Sequence, residues 1–320
     1  MPPAPVWVAT GIGDDAAVVE PARGTLDVVT TDTLVEGVHF ERTFVPPGDL
    51  GHKTLAVNLS DLAAMGATPR IAVLSLVLPP TMAAADLDAL VNGILMLADR
   101  HGVALVGGNI TRSPGPLVLG MTAVGAVRRR RVLTRSGGRP GDQLWVTGAL
   151  GAGAAGLACL LRHPTTGPPD GDQELASCVT WYRRPEPRVR IGTLLGRNRA
   201  ASAGVDLSDG LADGLRQLTR ASGVGAIVAG ADVPVDPAAR RWFEQRGHDP
   251  LAAAIAGGDD YELLVAVPRT HRRRFRAITR LAHGVPMTRI GELTKAPDVV
   301  VRTDAGDQPL PPGFEHFRDG

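Results

Sequence analysis

Hydrophobic positions follow two periods along the chain, and each period predicts one kind of element. Compact runs of β-branched and other apolar residues predict strands at 6–8, 26–31, 71–78, 103–106, 117–127, 143–147, 225–228 and 287–290. Apolar residues recur every three or four positions at Leu211, Leu215 and Leu218, with Asp213 and Arg216 on the other side, which predicts a helix. Further helices are predicted at 53–67, 87–98, 189–195 and 272–283.

The alternation of strands with helices predicts an α/β (α+β) protein whose mixed sheets are covered by helices. A chain of 320 residues is long enough for two domains, each with its own core. The glycine-rich segment 136–142 is the expected boundary, which gives an N-terminal domain at 1–138 and a C-terminal domain at 139–320. A four-residue similarity between 58–61 and 206–209 is compatible with an internal duplication but is too short to establish one.

Composition narrows the classes of partner. The chain is 44% hydrophobic and 21% charged, with a formal net charge of +1, so no overall field attracts it to nucleic acid or to an anionic membrane. Cys159 and Cys178 are the only cysteines and do not form a CxxC pair, so neither a disulfide framework nor a zinc site is expected. No apolar run reaches transmembrane length. The expected location is the cytoplasm, with no nucleic acid and no membrane as partner.

Two carboxylates flank a hydroxyl where an apolar run turns into the helix that contains Leu211. Ser208, between Asp206 and Asp209, is predicted to cap this helix, because a serine oxygen can accept one of its unpaired N–H groups. The helix N-terminus also favours anions. The alternative is an ordinary capped helix at the surface.

Other carboxylates stand at the ends of apolar runs beside Gly, Ser or Thr. Asp32 follows Thr30 and Thr31, and further examples occur at 14–15, 61 and 259–260. Clusters of carboxylate and hydroxyl oxygens suit hard cations such as Mg²⁺, which usually keeps few protein ligands and completes its shell with water and substrate phosphate. The pattern therefore predicts several magnesium ions, polyphosphate and ATP-dependent phosphoryl transfer.

Two glycine-rich segments have competing interpretations. A turn is predicted at 107–112, where Gly108 could present N–H groups to a phosphate and Asn109 an oxygen to a cation; an ordinary turn is the alternative. The segment 151–156 matches GxGxxG, but a loop follows it in place of a second strand, so it is not interpreted as a dinucleotide site. Its glycines are instead expected to let a helix pack closely on its strand.

The ordered motifs across nearly the whole chain resemble those of thiamine-monophosphate kinases. They stand at 11–15 (GIGDD), 31–40 (TDTLVEGVHF), 53–66, 133–137, 205–210 (VDLSDG), 258–263 and 313–317. The resemblance implies two α/β domains with the fold of aminoimidazole ribonucleotide synthetase, and a homodimer formed through the N-terminal domain. It also implies direct phosphoryl transfer from ATP to thiamine monophosphate, which gives thiamine diphosphate without a phosphoenzyme.

The same resemblance assigns expected roles to individual residues, none of them covalent. The magnesium-binding positions are Asp15, Thr30, Thr31, Asp32, Asp61, Asn109, Asp206 and Asp209. The nucleotide contacts are Gly108, Asn109, Arg135 and Ser208. The acceptor contacts are His39, Asp259 and Phe314.

Two of these positions depart from the family pattern. Asn109 stands where the family usually has Asp, which keeps an oxygen ligand but removes a negative charge, and Asp259 stands where it usually has Glu, which shortens the side chain. The alternative function is therefore a non-catalytic or differently specific ATP-binding member of the same superfamily. Acceptor-dependent turnover with excess Mg²⁺ separates the two.

Overall fold

The computed structural model describes residues 5–164, 172–282 and 284–313. Mixed sheets with helices packed on them confirm the predicted α/β class. A short antiparallel pair, β1 (Val8–Thr10) and β2 (Val18–Val19), comes first in the chain. Within the described ranges, no helix has the length and hydropathy of a membrane span.

The first main sheet has four strands, and two long helices accompany it. The strands are β3 (Leu26–Val35), β4 (Thr68–Leu78), β5 (Ala104–Arg112) and β6 (Val118–Val127), and the helices are α1 (Pro47–Ala64) and α2 (Ala84–His101). The strand order is β3-β6-β4-β5, with β4 and β5 parallel and the other neighbours antiparallel. Strands β3 and β5 therefore occupy opposite edges.

The second main sheet has seven strands, in the order β13-β12-β9-β11-β7-β10-β8. Their bounds are β7 (Gln143–Thr147), β8 (Ala203–Asp206), β9 (Gly225–Ala229), β10 (Leu263–Val267), β11 (Met287–Thr294), β12 (Val299–Thr303) and β13 (Gly306–Pro309). The accompanying helices are α3 (Ala152–Arg162), α4 (Gln173–Arg183), α5 (Val189–Asn198), α6 (Leu211–Ser222), α7 (Pro237–Glu244), α8 (Pro250–Ala256) and α9 (Arg272–Leu281).

A shared hydrophobic core joins the two halves. One buried cluster includes Leu59 of α1 together with Leu133, Ile191 and Phe275 from later in the chain. A second cluster, which includes Val205, belongs to the C-terminal half alone. Because α1 packs against both its own sheet and α5, side chains on this helix are held in fixed positions relative to both halves.

Most predicted elements are present, with differences at their ends. Strand β7 has the predicted bounds and α5 begins at the predicted residue, Val189. Helix α1 begins at Pro47, six residues before the predicted start at Lys53, because a proline at the first helical position loses no hydrogen bond. Five elements were not expected from the residue pattern: α4, α7, α8, β12 and β13.

The turn predicted at 107–112 is wrong, because β5 continues through this segment. Gly108 pairs with Leu74 on β4, and a Cβ atom at position 108 would lie 1.9 Å from the Leu74 carbonyl oxygen. The glycine is therefore required by close strand approach.

Candidate active site

The loop between β8 and α6 places the carboxylates of the 204–211 stretch. Strand β8 ends at Asp206, and α6 begins at Leu211 after Gly210, whose φ of 88° lies in the left-handed region. The predicted Ser208 cap is wrong, because Gly210 is the N-cap residue and the helix begins beyond the reach of that cap. Gly210 is needed here, since a Cβ atom would lie 2.3 Å from the Gly257 carbonyl oxygen.

A cavity of about 670 Å³ lies beside this loop, between the two halves of the chain. Its walls come from β3, α1, α3, α4 and the loops around residues 208 and 258. Seven residues predicted for the site line it: Asp32, His39, Asp61, Asp206, Ser208, Asp209 and Asp259. The structure thus brings together positions up to 227 residues apart in sequence, from Asp32 to Asp259.

The carboxylate end of the cavity is defined by Asp32, Asp61, Asp206 and Asp209. Ser60 on α1 donates a hydrogen bond to Asp206 Oδ2 at 2.8 Å, across the boundary between the halves. Thr30 on β3 donates to Asp61 Oδ2. Strand alternation places Thr30 and Asp32 on the same side of β3. Oxygen atoms from β3, α1 and β8 therefore lie together at this end of the cavity.

Burial and mutual repulsion raise the pKa values at this end. Burial, followed by repulsion from Asp61, raises the pKa of Asp206 from 3.8 to about 7. Burial, followed by repulsion from Asp61 and Asp209, raises the pKa of Asp32 from 3.8 to about 6. Burial also raises the pKa of Asp61, although the Thr30 hydrogen bond and the Arg135 charge oppose the shift. The protein therefore leaves much of this negative charge uncompensated.

The donor set fits magnesium that is completed by another ligand. Carboxylate and hydroxyl oxygens are the groups that Mg²⁺ prefers, and uncompensated carboxylates favour a cation. Within residues 5–164, 172–282 and 284–313, no three His, Cys, Asp or Glu side chains lie close enough to hold an ion by themselves. A cation here therefore needs water and the oxygens of a bound phosphate.

The lysine end of the cavity is defined by Lys53, His39, Tyr182 and Asp259. Lys53 Nζ forms an ion pair with Asp259 Oδ1 at 2.8 Å and lies 3.8 Å from the centre of the Tyr182 ring. The Tyr182 hydroxyl donates to the His39 carbonyl oxygen at 3.3 Å. His39 Nδ1 accepts the Val35 N–H at 3.1 Å, which fixes the imidazole ring at the wall.

Apolar residues complete the lysine end. Leu157 and Leu161 of α3 line the cavity together with Phe40 and Phe44, and Leu161 is 63% exposed. Helix α3 approaches the 258–260 loop so closely that a Cβ atom at Gly153 would lie 2.5 Å from the Asp259 carbonyl oxygen. Helix α3 does pack closely on its neighbours, but these are the 258–260 loop and α4. The prediction that it packs on its own strand is therefore wrong.

The turn that carries Asp259 is held by backbone and buried side-chain contacts. The Asp259 N–H donates to the Ser208 carbonyl at 2.8 Å, and Asp259 itself has a φ of 63°, a strained value for a residue with a side chain. Asp260 is fully buried and accepts the N–H groups of Gly151 and Gly153. Buried Glu262 accepts hydrogen bonds from Nε and Nη2 of the Arg188 guanidinium group.

Several predicted site residues lie elsewhere. Asp15 is exposed in a turn, and the Thr31 hydroxyl faces away from Asp32 and donates to the Met121 carbonyl. Gly108 lies in the same sheet row as Asp32, but three strand spacings, or about 14 Å, separate them. Asn109 is its exposed neighbour on β5.

Two predicted site residues remain, Arg135 and Phe314. Arg135 is exposed, and its charge lowers the pKa of both Asp61 and Asp206, which puts its guanidinium within electrostatic reach of the carboxylate end. Phe314 lies outside the described residues.

Four residues without an expected role contribute to the cavity or its contacts: Lys53, Tyr182, Tyr261 and Ser60. Lys53 carried a signal, because it is the single basic residue of the largely apolar segment 53–66, and a buried charge requires a partner. Tyr182 carried none, since α4 itself was not predicted.

Family models match both halves of the chain. The N-terminal domain of AIR synthase related protein matches residues 13–127, and the C-terminal domain of AIR synthase related protein matches residues 139–304. Thiamine-monophosphate kinase from Escherichia coli strain K12 is 42% identical over 290 residues, which cover 90% of this chain and 85% of that protein. The chain belongs to the thiamine-monophosphate kinase family.

Solved structures of thiamine-monophosphate kinases agree with this membership. The crystal structure of the enzyme from Stenotrophomonas maltophilia K279a is 38% identical, covers 92% of this chain and 91% of that one, and gives a TM-score of 0.84. A structure of AaThiL complexed with AMPPCP and TMP is 31% identical, covers 96% of this chain and 92% of that one, and gives a TM-score of 0.81. The resemblance stated from the sequence motifs is therefore confirmed.

Proposed function

We propose that this protein transfers a phosphoryl group from ATP to thiamine monophosphate, which yields ADP and thiamine diphosphate. The observation that carries the proposal is a single cavity with two chemically different ends. Uncompensated carboxylates line one end, and apolar, aromatic and paired polar groups line the other. Relatives named thiamine-monophosphate kinase, and a neighbour complexed with AMPPCP and TMP, support the same assignment.

The cavity suits a direct transfer. A phosphate oxygen of the acceptor forms a bond to the terminal phosphorus of ATP, while the bond from that phosphorus to the bridging oxygen breaks and ADP leaves. The transfer needs no covalent role for Ser208 or for any other hydroxyl or carboxylate of the carboxylate end. The protein's own contribution is to bind and align the two substrates.

Magnesium is the proposed cation of the carboxylate end. Several Mg²⁺ ions would share Asp32, Asp61, Asp206, Asp209 and Thr30, each ion completed by water and phosphate oxygens. The predicted contributions of Asp15, Thr31 and Asn109 remain part of the proposal. When bound, Mg²⁺ neutralises negative charge on the phosphates. Ser208 and Arg135 are proposed nucleotide contacts, because a hydroxyl and a guanidinium both donate to phosphate oxygens.

The lysine end is the proposed acceptor site. Its apolar wall from α3 suits the flat rings of thiamine, while His39 and Asp259 offer polar contacts at the rim. Phe314 remains a predicted contact to the thiamine rings.

We also propose the homodimer predicted from the sequence, formed through the exposed face of the four-stranded sheet. Val29 and Val73 on this face are 64% and 37% exposed, which is unusual for apolar strand residues of a monomer. Thr31 and Asn109 are exposed as well. A single chain keeps Gly108 and Asn109 about 14 Å from its own Asp32, so a second copy is the arrangement that could bring them to a carboxylate end.

The two unpaired, buried cysteines fit the proposed cytoplasmic location.

The decisive experiment measures ADP release with ATP and Mg²⁺ in the presence of thiamine monophosphate, free thiamine or no acceptor, with the product identified. Thiamine diphosphate formed only from the monophosphate is the expected result. Binding of ATP without acceptor-dependent turnover would support the non-catalytic alternative. Turnover with another acceptor would support a differently specific member of the family.

A further inference from the structure

Lys53 carries a buried charge that the proposed reaction does not use directly. Its side chain is 1% exposed in the middle of α1, although lysine is rarely buried unless it is paired. Its partners are Asp259 Oδ1, at 2.8 Å, and the face of the Tyr182 ring, at 3.8 Å from the ring centre. An ion pair and a cation–π contact together offset the loss of hydration of the ammonium group.

The choice of lysine at this position is notable in an arginine-rich chain. Only two of the 34 basic residues are lysines, Lys53 and Lys295, and the rest are arginines. A compact ammonium on a thin stem fits between one carboxylate oxygen and an aromatic face, whereas a guanidinium is a wider planar fork. Lys53 therefore presents a point charge to Asp259 where an arginine would present a planar fork.

The contacts around Asp259 fix the direction of its carboxylate. Oδ1 is held by Lys53 and also accepts the Tyr261 hydroxyl at 3.2 Å. The Asp259 side chain nevertheless keeps 27% of its surface exposed, and it lines the cavity. One oxygen is thus anchored within the protein while part of the carboxylate remains accessible to a ligand.

Helix α1 connects this anchor to the carboxylate end. Lys53, Val57 and Asp61 are spaced four residues apart on α1, and all three line the cavity. A rise of about 1.5 Å per residue separates Lys53 from Asp61 by about 12 Å along the helix axis. A single rigid element therefore fixes the distance between Asp259 at one end and the carboxylates at the other.

We propose that Lys53 is a positioning residue for acceptor recognition: it holds Asp259 so that the exposed part of this carboxylate receives an N–H donor of the acceptor's ring system. The inference rests on the proposed function. It also separates Lys53 from the phosphates, because its ammonium group is buried and paired with Asp259. A lysine in a phosphoryl-transfer site would ordinarily be expected to contact phosphate.

The test compares Lys53→Met with the wild-type protein while ATP and thiamine monophosphate are varied separately. We expect the KM for thiamine monophosphate to rise by at least about tenfold, as for the loss of a charge-assisted hydrogen bond, and the KM for ATP to change by less than about twofold. Lys295→Met, which removes the exposed second lysine, is the matched control and should change neither constant. A fall in kcat with a raised KM for ATP would instead assign Lys53 to the phosphates and overturn the inference.

A double-mutant cycle tests whether Lys53 acts through Asp259. Asp259→Asn alone should raise the KM for thiamine monophosphate, and adding Lys53→Met should raise it little further, since Lys53 would have no carboxylate left to position. Additive effects of the two substitutions would contradict the proposed role.

Two measurements keep the test valid if Lys53→Met folds poorly. Tyr261→Phe removes the second group on Asp259 Oδ1 without touching the buried charge, and it should raise the same KM by about two- to fivefold. Equilibrium dialysis of thiamine monophosphate without ATP measures acceptor binding directly. Wild-type protein that neither binds nor phosphorylates thiamine monophosphate would refute the proposed function, whereas wild-type turnover with unchanged acceptor binding in both variants would refute only the role of Lys53.

Discussion

The two ends of the cavity differ in how far the protein itself compensates negative charge. At the lysine end and in the turn behind it, three carboxylates have partners within the protein: Asp259 pairs with Lys53, Glu262 with Arg188, and Asp260 with backbone N–H groups. At the carboxylate end, burial and repulsion raise the pKa values of Asp206 and Asp32.

This difference indicates which carboxylates serve the fold and which serve a ligand. Removing one partner of a buried ion pair strongly destabilises a protein, because the other charge is left buried and unpaired. A cluster of like charges instead destabilises the protein in the absence of a bound cation. Substitutions at the two ends should therefore have opposite effects on stability. Four predictions test this comparison, from the largest expected effect to the smallest.

Neutralising the carboxylate end should remove activity and spare the fold. Asp61→Asn or Asp206→Asn should lower kcat/KM by about a thousandfold, because each change removes a charge that would hold the cation on the phosphates. The thermal unfolding midpoint of the metal-free variants should stay the same or rise, since repulsion is relieved. Asp88→Asn, at an exposed acid on α2, should change neither. Insoluble or unfolded variants would show that these carboxylates are structural.

Neutralising a paired carboxylate should instead lower the stability of the fold. Glu262 is 1% exposed and bound to Arg188, so Glu262→Gln should lower the free energy of unfolding by about 3–5 kcal/mol in denaturant titrations. Glu244→Gln, in the exposed Arg240–Glu244 pair, should leave it nearly unchanged. Equal losses in the two variants would show that burial of the pair does not determine its contribution.

The metal-free protein should lose stability as the pH rises. Asp206 has an ordinary pKa of 3.8 and a folded-state pKa of about 7, so the folded state binds the proton more tightly than the unfolded state does. The stabilisation is complete below about pH 4 and is lost as the pH rises towards 7. Thermal unfolding with EDTA across this range should give a falling midpoint, and Asp206→Asn should flatten the curve. Saturating Mg²⁺ with a nucleotide should restore stability near pH 7 and above.

The smallest effect concerns Asn109. If Asn109 contributes to cation binding, Asn109→Asp should lower the Mg²⁺ concentration for half-maximal activity by about two- to fivefold, because ligand charge tunes cation affinity. Asn92→Asp, at an exposed position of α2, adds the same charge away from the cavity and should have no effect. An unchanged magnesium dependence in Asn109→Asp would remove this residue from the proposed set of ligands.

Much of the architecture and the carboxylate end of the candidate site could be predicted from residue patterns. Strong apolar runs such as 143–147 identify strands because burial of an apolar face dominates their local conformation. Carboxylates beside Gly, Ser and Thr likewise indicated Asp32, Asp61, Asp206 and Asp209, since clusters of carboxylate and hydroxyl oxygens suit hard cations.

Only the tertiary structure decided which of these residues meet and what supports them. Ser208 fits the sequence rules for an N-cap, yet the close approach of the 257 carbonyl requires Gly210 to turn the chain, which moves the helix start. Gly108 and Asn109 fit a phosphate loop, but pairing with β4 extends them into an edge strand far from Asp32. The ion pair of Lys53 with Asp259 joins residues 206 positions apart, and no local pattern specifies such a contact, because it depends on how the two halves pack. The sequence thus determined the elements and the chemistry available, while packing between the halves determined the site.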